Sequence, residues 1–259
     1  MVELWREEVI ERSWLVLKHL HEIAELVVIG GWGVYFWARK LRSRDVDVYV
    51  DQNNFYKLQE KLREEGFVIR RNPRLKKFEA VIHDVDVDIY TPFMCNLVIP
   101  CSDVFQERWI SDIEGFKVAF PEVLLLLKAQ AAKERWQAEK GLKDRVDIIS
   151  LLAFVDLKFK LLGELFKRYD PKKLLLKVIL RTLRESRFEY RVLGLSYERD
   201  GIRLRKHIEE KLGPTYNRSL IGLNFDSSTL KFFQGFSLER VSFNPLKNVK
   251  VLVLADDLA

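Results

Sequence analysis

Cysteine and histidine are scarce in this chain of 259 residues, with two of the first and four of the second. Cys95 and Cys101 have no Cys or His neighbour that completes a zinc site, and they are too few to organise a disulfide scaffold. His19, His21, His83 and His207 share no spacing, which argues against a phosphohydrolase built on histidine-bound metal. Long apolar runs are also missing. The longest, such as Val123 to Leu127, fall far short of the roughly 20 residues that a membrane span needs. Glu3, Glu7 and Glu8 near the N-terminus break any resemblance to a secretory leader. Neither an internal repeat nor a low-complexity tract is present. A reduced, cytoplasmic protein with no membrane partner is therefore expected.

The chain does have a basic excess. A net charge of +6 and a pI near 9.2 suit a polyanionic partner. The excess is visible in Lys158-Phe159-Lys160, Lys167-Arg168, Lys172-Lys173 and Arg203-Leu204-Arg205-Lys206, all in the C-terminal half. Each cluster alone reads as a solvated helix face; together they make a candidate nucleic-acid surface.

Periodicity predicts a helix over 2–24, a short buried strand at 26–29 ending in Gly30-Gly31, and a helix from Trp32 to about Leu41. A strand at 45–50 follows, then a helix over 55–65 capped by Asp51 or Asn53 and stopped at Gly66. A meander spans 67–90, with the long run 77–90 bent or bulged at His83-Asp84. Pro121 suits the first position of a helix to about Gln137, Gly141 breaks it, and another helix covers 143–154. Pro171 opens a helix to Ser186, 200–212 is helical, and Val249–Leu254 is a strand or an irregular packed segment. The pattern changes near residue 120, from mixed α/β to helical. The fold class is therefore α/β (α+β): a small mixed-sheet domain over 1–120, then a mainly helical domain over 121–259.

Acids line two of the strands. Asp45-Val46-Asp47-Val48-Tyr49-Val50 and Asp84-Val85-Asp86-Val87-Asp88-Ile89-Tyr90 each place aspartates on one face and valines on the other. Carboxylates two apart on a strand repel by roughly 2–3 kcal/mol at an effective dielectric near 20. A hard divalent cation reverses the sign of that cost, because Mg²⁺ takes carboxylate and phosphate oxygens.

The order strand, Gly30-Gly31, helix, Asp45-x-Asp47, then a later strand with a further Asp, resembles the nucleotidyltransferase superfamily of the DNA polymerase beta kind. The stretch from Val28 to Asp47 is similar to stand-alone prokaryotic members, among them the toxin-type enzymes of abortive-infection systems. Pro121-Glu122, Lys128 and Lys143-Asp144-Arg145-Val146-Asp147 resemble the helical region of the same group. The resemblance covers about 25–155.

It implies an enzyme that moves an NMP from an NTP (ATP among them) to a hydroxyl acceptor and releases pyrophosphate. An RNA 3′ end leads as acceptor, with a protein side chain or a small molecule such as an aminoglycoside second, and an antitoxin-type protein is an implied partner. Gly30 and Gly31 would admit the triphosphate. Asp45, Asp47 and Asp88, with Asp86 as the reserve, would hold two Mg²⁺ ions, for which Mn²⁺ can substitute. Lys128 would neutralise the departing pyrophosphate, the alternative being a lysine that snorkels from an apolar helix. Asp144 would bind the nucleotide or orient Lys128. Trp32, Tyr35, Phe36 and Trp37 read mostly as core, with one left to stack a base. The rival reading on the same fold is a catalytically silent nucleotide- or nucleic-acid-binding regulator.

Overall fold

Valines at every second position of two short segments decide how the sheet packs. A computed structural model describes residues 5–216 of the chain. Its elements begin with α1 (Glu7–Ile23), β1 (Val27–Val28), α2 (Gly30–Ala38), β2 (Val46–Tyr49) and α3 (Gln52–Glu64). Then come β3 (Arg70–Asn72), β4 (Lys77–Ile82), β5 (Val85–Tyr90), α4 (Cys101–Gln106), β6 (Ile110–Ile113) and β7 (Phe116–Ala119). The described residues after these are helical: α5 (Pro121–Glu134), α6 (Glu139–Phe154), α7 (Phe159–Tyr169), α8 (Leu174–Glu185), α9 (Arg187–Val192), a π-turn (Tyr197–Gly201) and α10 (Ile202–Tyr216). Up to Arg205 the chain packs as one compact unit.

The seven strands form one mixed sheet in the order β3-β4-β5-β2-β1-β7-β6. β2 pairs with β5, and β1 with β7, in parallel; the remaining pairs are antiparallel. Val46, Val48, Val87 and Ile89 point to one face, where they share a buried cluster with Leu17 and Leu20 of α1 and Leu58 and Leu62 of α3. Each such side chain contributes roughly 1.5–3 kcal/mol by leaving water, which fixes the register and sends the intervening aspartates to the opposite face. Against that region α2 packs on both α5 and α6. This is the α/β architecture with a helical C-terminal part that the sequence pattern implied.

Several boundaries differ from expectation. The run 77–90 is a hairpin, not one bent strand: His83 (φ 48°) and Asp84 (φ 63°) both adopt the left-handed conformation of a tight two-residue turn. Asp84 consequently leaves the strand face and pairs with Arg12 at 3.0 Å. Gly141 lies inside the first turn of α6 and does not break a helix; a Cβ there would stand 2.0 Å from the Arg135 carbonyl oxygen. Pro171 sits in the turn before α8, whose free N–H groups on Leu174, Leu175 and Leu176 donate to the Asp170 carboxylate at 2.8–3.0 Å. α2 starts at Gly30 itself and ends at Ala38. Asp51 is the cap of α3, accepting from the Asn54 N–H at 3.0 Å. The segments α4, β6 and α7 were not anticipated, and Val249–Leu254 lies outside the described residues.

Candidate active site

Parallel pairing of β2 with β5 sets Asp47 directly opposite Asp88, and Tyr49 opposite Tyr90. Both acids project from the face that the valines leave free, beside the turn into α2. Gly30 makes that approach possible. Its φ of +61° is left-handed, and a Cβ built on it would stand 2.0 Å from Asp47 Oδ2. Gly31 is equally crowded, with Ser43 Oγ 2.5 Å and Lys143 Nζ 3.6 Å from the place a Cβ would take. The diglycine turn thus lies against Asp47 on one side and against Ser43 and Lys143 on the other.

Each neighbouring acid has a lysine. Lys140 Nζ donates to Asp45 Oδ2 at 2.8 Å, and Lys77 Nζ donates to Asp88 Oδ2 at 2.6 Å. Among the described residues Asp47 has no ion pair of that kind. Burial, and then the charge of Asp88, push the Asp47 carboxyl up to about 6, against the smaller opposing influence of Lys128. Burial likewise raises Asp88, with Lys77 pulling the other way.

The helices supply a second set of charges. Lys128 of α5 is buried and reaches Asp144 Oδ1 at 3.2 Å and Asp147 Oδ2 at 2.8 Å. Lys143 reaches Asp147 at 2.5 Å, one helical turn along α6. Arg135 clasps Asp144 with two bonds, at 2.7 and 3.1 Å. Burial opposes the charge of Asp144, but Lys128 and the Arg135 guanidinium together hold its carboxyl below the ordinary value. Burial likewise opposes the charge on Lys128, yet Asp147, Asp144 and Asp47 keep its ammonium above the usual range. For Lys143 burial wins, and its ammonium is pushed down despite Asp147. Asp47 acts on both Lys128 and Arg135, so the sheet acids and the helical network share one electrostatic environment.

Gly30, Gly31, Asp45, Asp47 and Asp88 therefore gather around the α2 turn, and Lys128 meets Asp144 beside them. Asp86 lies one step further along β5, exposed and opposite Val81. Sequence reasoning gave Ser43, Lys77, Arg135, Lys140 and Lys143 no role at this site. Trp32 is core, with its indole N–H donated to Ser13 Oγ at 2.8 Å, and Trp37 donates to the Ala119 carbonyl.

Among the described residues no three His, Cys, Asp or Glu side chains stand in the arrangement of a metal centre. The donor chemistry nonetheless fits a hard divalent cation. The acids at this end of the sheet offer carboxylate oxygen only, Asp47 is burdened by its neighbour's charge, and ammonium groups already counter Asp45 and Asp88.

Residues 15–95 match the family model of aminoglycoside-2″-adenylyltransferase. No curated protein matches the chain by sequence. Among solved structures it is similar to ANT(2″)-Ia in complex with adenylyl-2″-tobramycin, at 12% identity and a TM-score of 0.41, over 64% of this chain and 99% of that one. It is also similar to the antibiotic-resistance factor ANT(2″)-Ia in solution, at 14% identity and a TM-score of 0.42, over 66% and 95% of the two chains. An antigenic nucleotidyltransferase-like protein from Paracoccidioides brasiliensis gives 16% identity and a TM-score of 0.38, over 70% and 95%. The matched segment 15–95 contains the diglycine turn, Asp45, Asp47 and Asp88 in a single stretch, and that match supports the resemblance to the nucleotidyltransferase superfamily.

Proposed function

We propose that the protein transfers a nucleoside monophosphate from an NTP to a hydroxyl acceptor, with release of pyrophosphate. The observation that carries this reading is the in-register pair Asp47–Asp88 placed against Gly30. A fold has no use for two facing carboxylates of which one raises the proton affinity of the other, whereas phosphoryl transfer does. In this reading residues 1–120 provide the acids and the phosphate turn, and the helical residues from 121 onward provide the cations and the acceptor side.

Asp45, Asp47 and Asp88 would hold magnesium, or manganese in its place. Bound there, the metal would supply charge neutralisation at the phosphates and a lowered pKa at the acceptor hydroxyl. The protein's own groups do the rest. The N–H groups at the start of α2 would donate to phosphate oxygens beside the turn in which Gly30 admits Asp47. Lys143 and Ser43, beside Gly31, are placed to bind those oxygens, and Lys128 and Arg135 add positive charge where pyrophosphate would depart. Asp144 acts as a positioning residue, since both of its oxygens are committed to Lys128 and Arg135.

Two acceptor classes have support. The basic excess of the helical half favours a polyanion, the RNA 3′ end. The family match over 15–95 favours a small polyhydroxylated acceptor such as an aminoglycoside; that segment stops short of α5 and the helices that follow it. The test offers each NTP with Mg²⁺ or Mn²⁺ to the full chain, with an RNA oligonucleotide or tobramycin as acceptor, and reads the acceptor's mass. Wild type should add one or more NMP units, and the Asp45→Ala, Asp47→Ala double variant should lose at least about a thousandfold in rate. Equal product from both proteins would overturn the proposal, as would metal-independent nucleotide binding that is unchanged in the double variant.

A further inference from the structure

Guanidinium groups without a carboxylate partner gather around two aromatic rings on the face formed by α8, α9 and the π-turn. The acids of this stretch are already engaged. Glu185 pairs with Arg181 at 2.8 Å, Glu189 with Arg145 at 2.5 Å and Asp200 with Arg199 at 3.0 Å, while Glu198 accepts from Ser196 Oγ. That leaves Arg184, Arg187, Arg191 and Arg205, none of which has an ion-pair partner among the described residues. Arg187 and Arg205 both lie over the Tyr197 ring, at 4.9 and 5.6 Å from its centroid. Tyr197 is fixed in turn by donating its hydroxyl to the Arg184 carbonyl. Arg191 lies 6.0 Å from the ring of Phe188, which is 48% exposed.

Two like charges on one ring repel, and the ring's quadrupole offsets only about 0.5–1 kcal/mol for each at an exposed site. Among the described residues no anion completes the arrangement. A chain of phosphates would, and the exposed Phe188 ring beside the cations would stack a base; that pairing of features is the signature of single-stranded nucleic-acid binding. The face also continues toward the charge network of α5 and α6. Arg181 of α8 and Arg145 of α6 lie over the ring of Trp136, at 4.1 and 4.9 Å, and the adjacent Arg135 holds Asp144.

We propose that this face binds single-stranded RNA and leads its 3′ end past Trp136 to the sheet acids. The inference rests on the transferase reading for its direction, but its binding step stands without it.

The test measures binding of a fluorescein-labelled 12-nucleotide RNA to the full chain by anisotropy, across a range of salt concentrations. The Arg187→Gln, Arg205→Gln double variant should weaken binding about tenfold or more at low salt. It should also reduce the slope of log K against log salt by about 1.4, the value for two lost phosphate contacts on a single strand. Arg184→Glu, at an exposed side chain with no ion pair among the described residues, should weaken binding without shifting the melting temperature. Wild-type affinity retained in both variants, or no RNA binding at low salt, would overturn this inference. Mn²⁺-dependent NTP binding separates the two claims. If it persists and needs Asp47 while RNA fails to bind, the surface is wrong and the transferase stands. If RNA binding needs the arginines and no nucleotide binds, the surface stands and the transferase falls.

Discussion

Two groups of carboxylates a short distance apart are treated in opposite ways. On α6, Asp144 and Asp147 are almost wholly buried, and each has at least two cationic contacts from Lys128, Lys143 and Arg135. Burial alone would raise Asp144, yet the cations outweigh it and hold the carboxyl low. On the sheet, Asp47 faces Asp88 and is pushed up to about 6. The difference is one of completion. The helical acids are neutralised within the chain, so they serve structure and hold Lys128 and Arg135 in place. Of the sheet acids, Asp45 and Asp88 have ammonium partners and Asp47 is left with the uncompensated charge, which is useful only when something positive arrives.

Removing the helical acids should therefore harm the fold most. Asp144→Ala leaves Lys128 buried with one partner fewer and Arg135 with none, and breaking a buried pair from one side costs about 3–5 kcal/mol. Asp88→Asn should cost less than about 1 kcal/mol, or stabilise the metal-free protein, because it removes the repulsion on Asp47. Urea unfolding of the two variants measures both. Equal losses would erase the distinction between a structural and a functional set of acids.

The residues that sequence reasoning located are those whose pattern is local. Gly30-Gly31 and Asp45-x-Asp47 are short motifs, and the alternation of valine with aspartate in β5 placed Asp88 on the correct face. Lys128 and Asp144 came only from the resemblance of the helical region to that of the family. The overlooked residues act across the chain: Lys140 reaches Asp45 from 95 positions away, and Ser43 matters because the chain folds it against Gly31. Arg135 stands at the end of α5, where a cation is commonplace, and only the turn to α6 aims it at Asp144. The 83–84 turn was misread for a different reason. His83 and Asp84 occupy left-handed conformations that normally announce themselves as Asn-Gly, and here the sheet pairing imposes them. Even so, the mixed sheet, its acid face and the helical change near residue 120 were all readable.

A smaller effect should come from the glycine that admits Asp47. Gly30→Ala places a Cβ at a left-handed φ, at about 1–2 kcal/mol, and inside the space of the Asp47 carboxylate. Gly66→Ala provides the control, since Gly66 is also left-handed at φ +88° but open around its Cα. Both variants should lose about 1–2 kcal/mol of backbone stability, but only Gly30→Ala should also weaken Mn²⁺ binding, read by titration calorimetry. Equal Mn²⁺ affinity in the two variants would detach Gly30 from the acids.

The smallest effect, and the one that most sharpens the contrast, is on pH. A carboxyl raised in the folded protein favours folding when protonated. The contribution of Asp47 to stability is therefore greatest in acid and is lost as pH rises through about 6. Asp144 has the opposite sign: its lowered carboxyl stabilises above its unfolded value and loses that contribution only when pH falls through the lower folded one. Between about pH 5 and 7.5 Asp144 stays ionised while Asp47 titrates, so the two acids separate cleanly. Wild type should lose about 2–4 °C of melting temperature relative to Asp47→Asn over that interval. Added Mn²⁺ should cancel or reverse the loss at about pH 7.5, because a bound cation favours the ionised carboxylate that the metal-free fold disfavours. If the two proteins keep a constant separation across that whole interval, Asp47 is not the frustrated charge on which the division between the two acid sets depends.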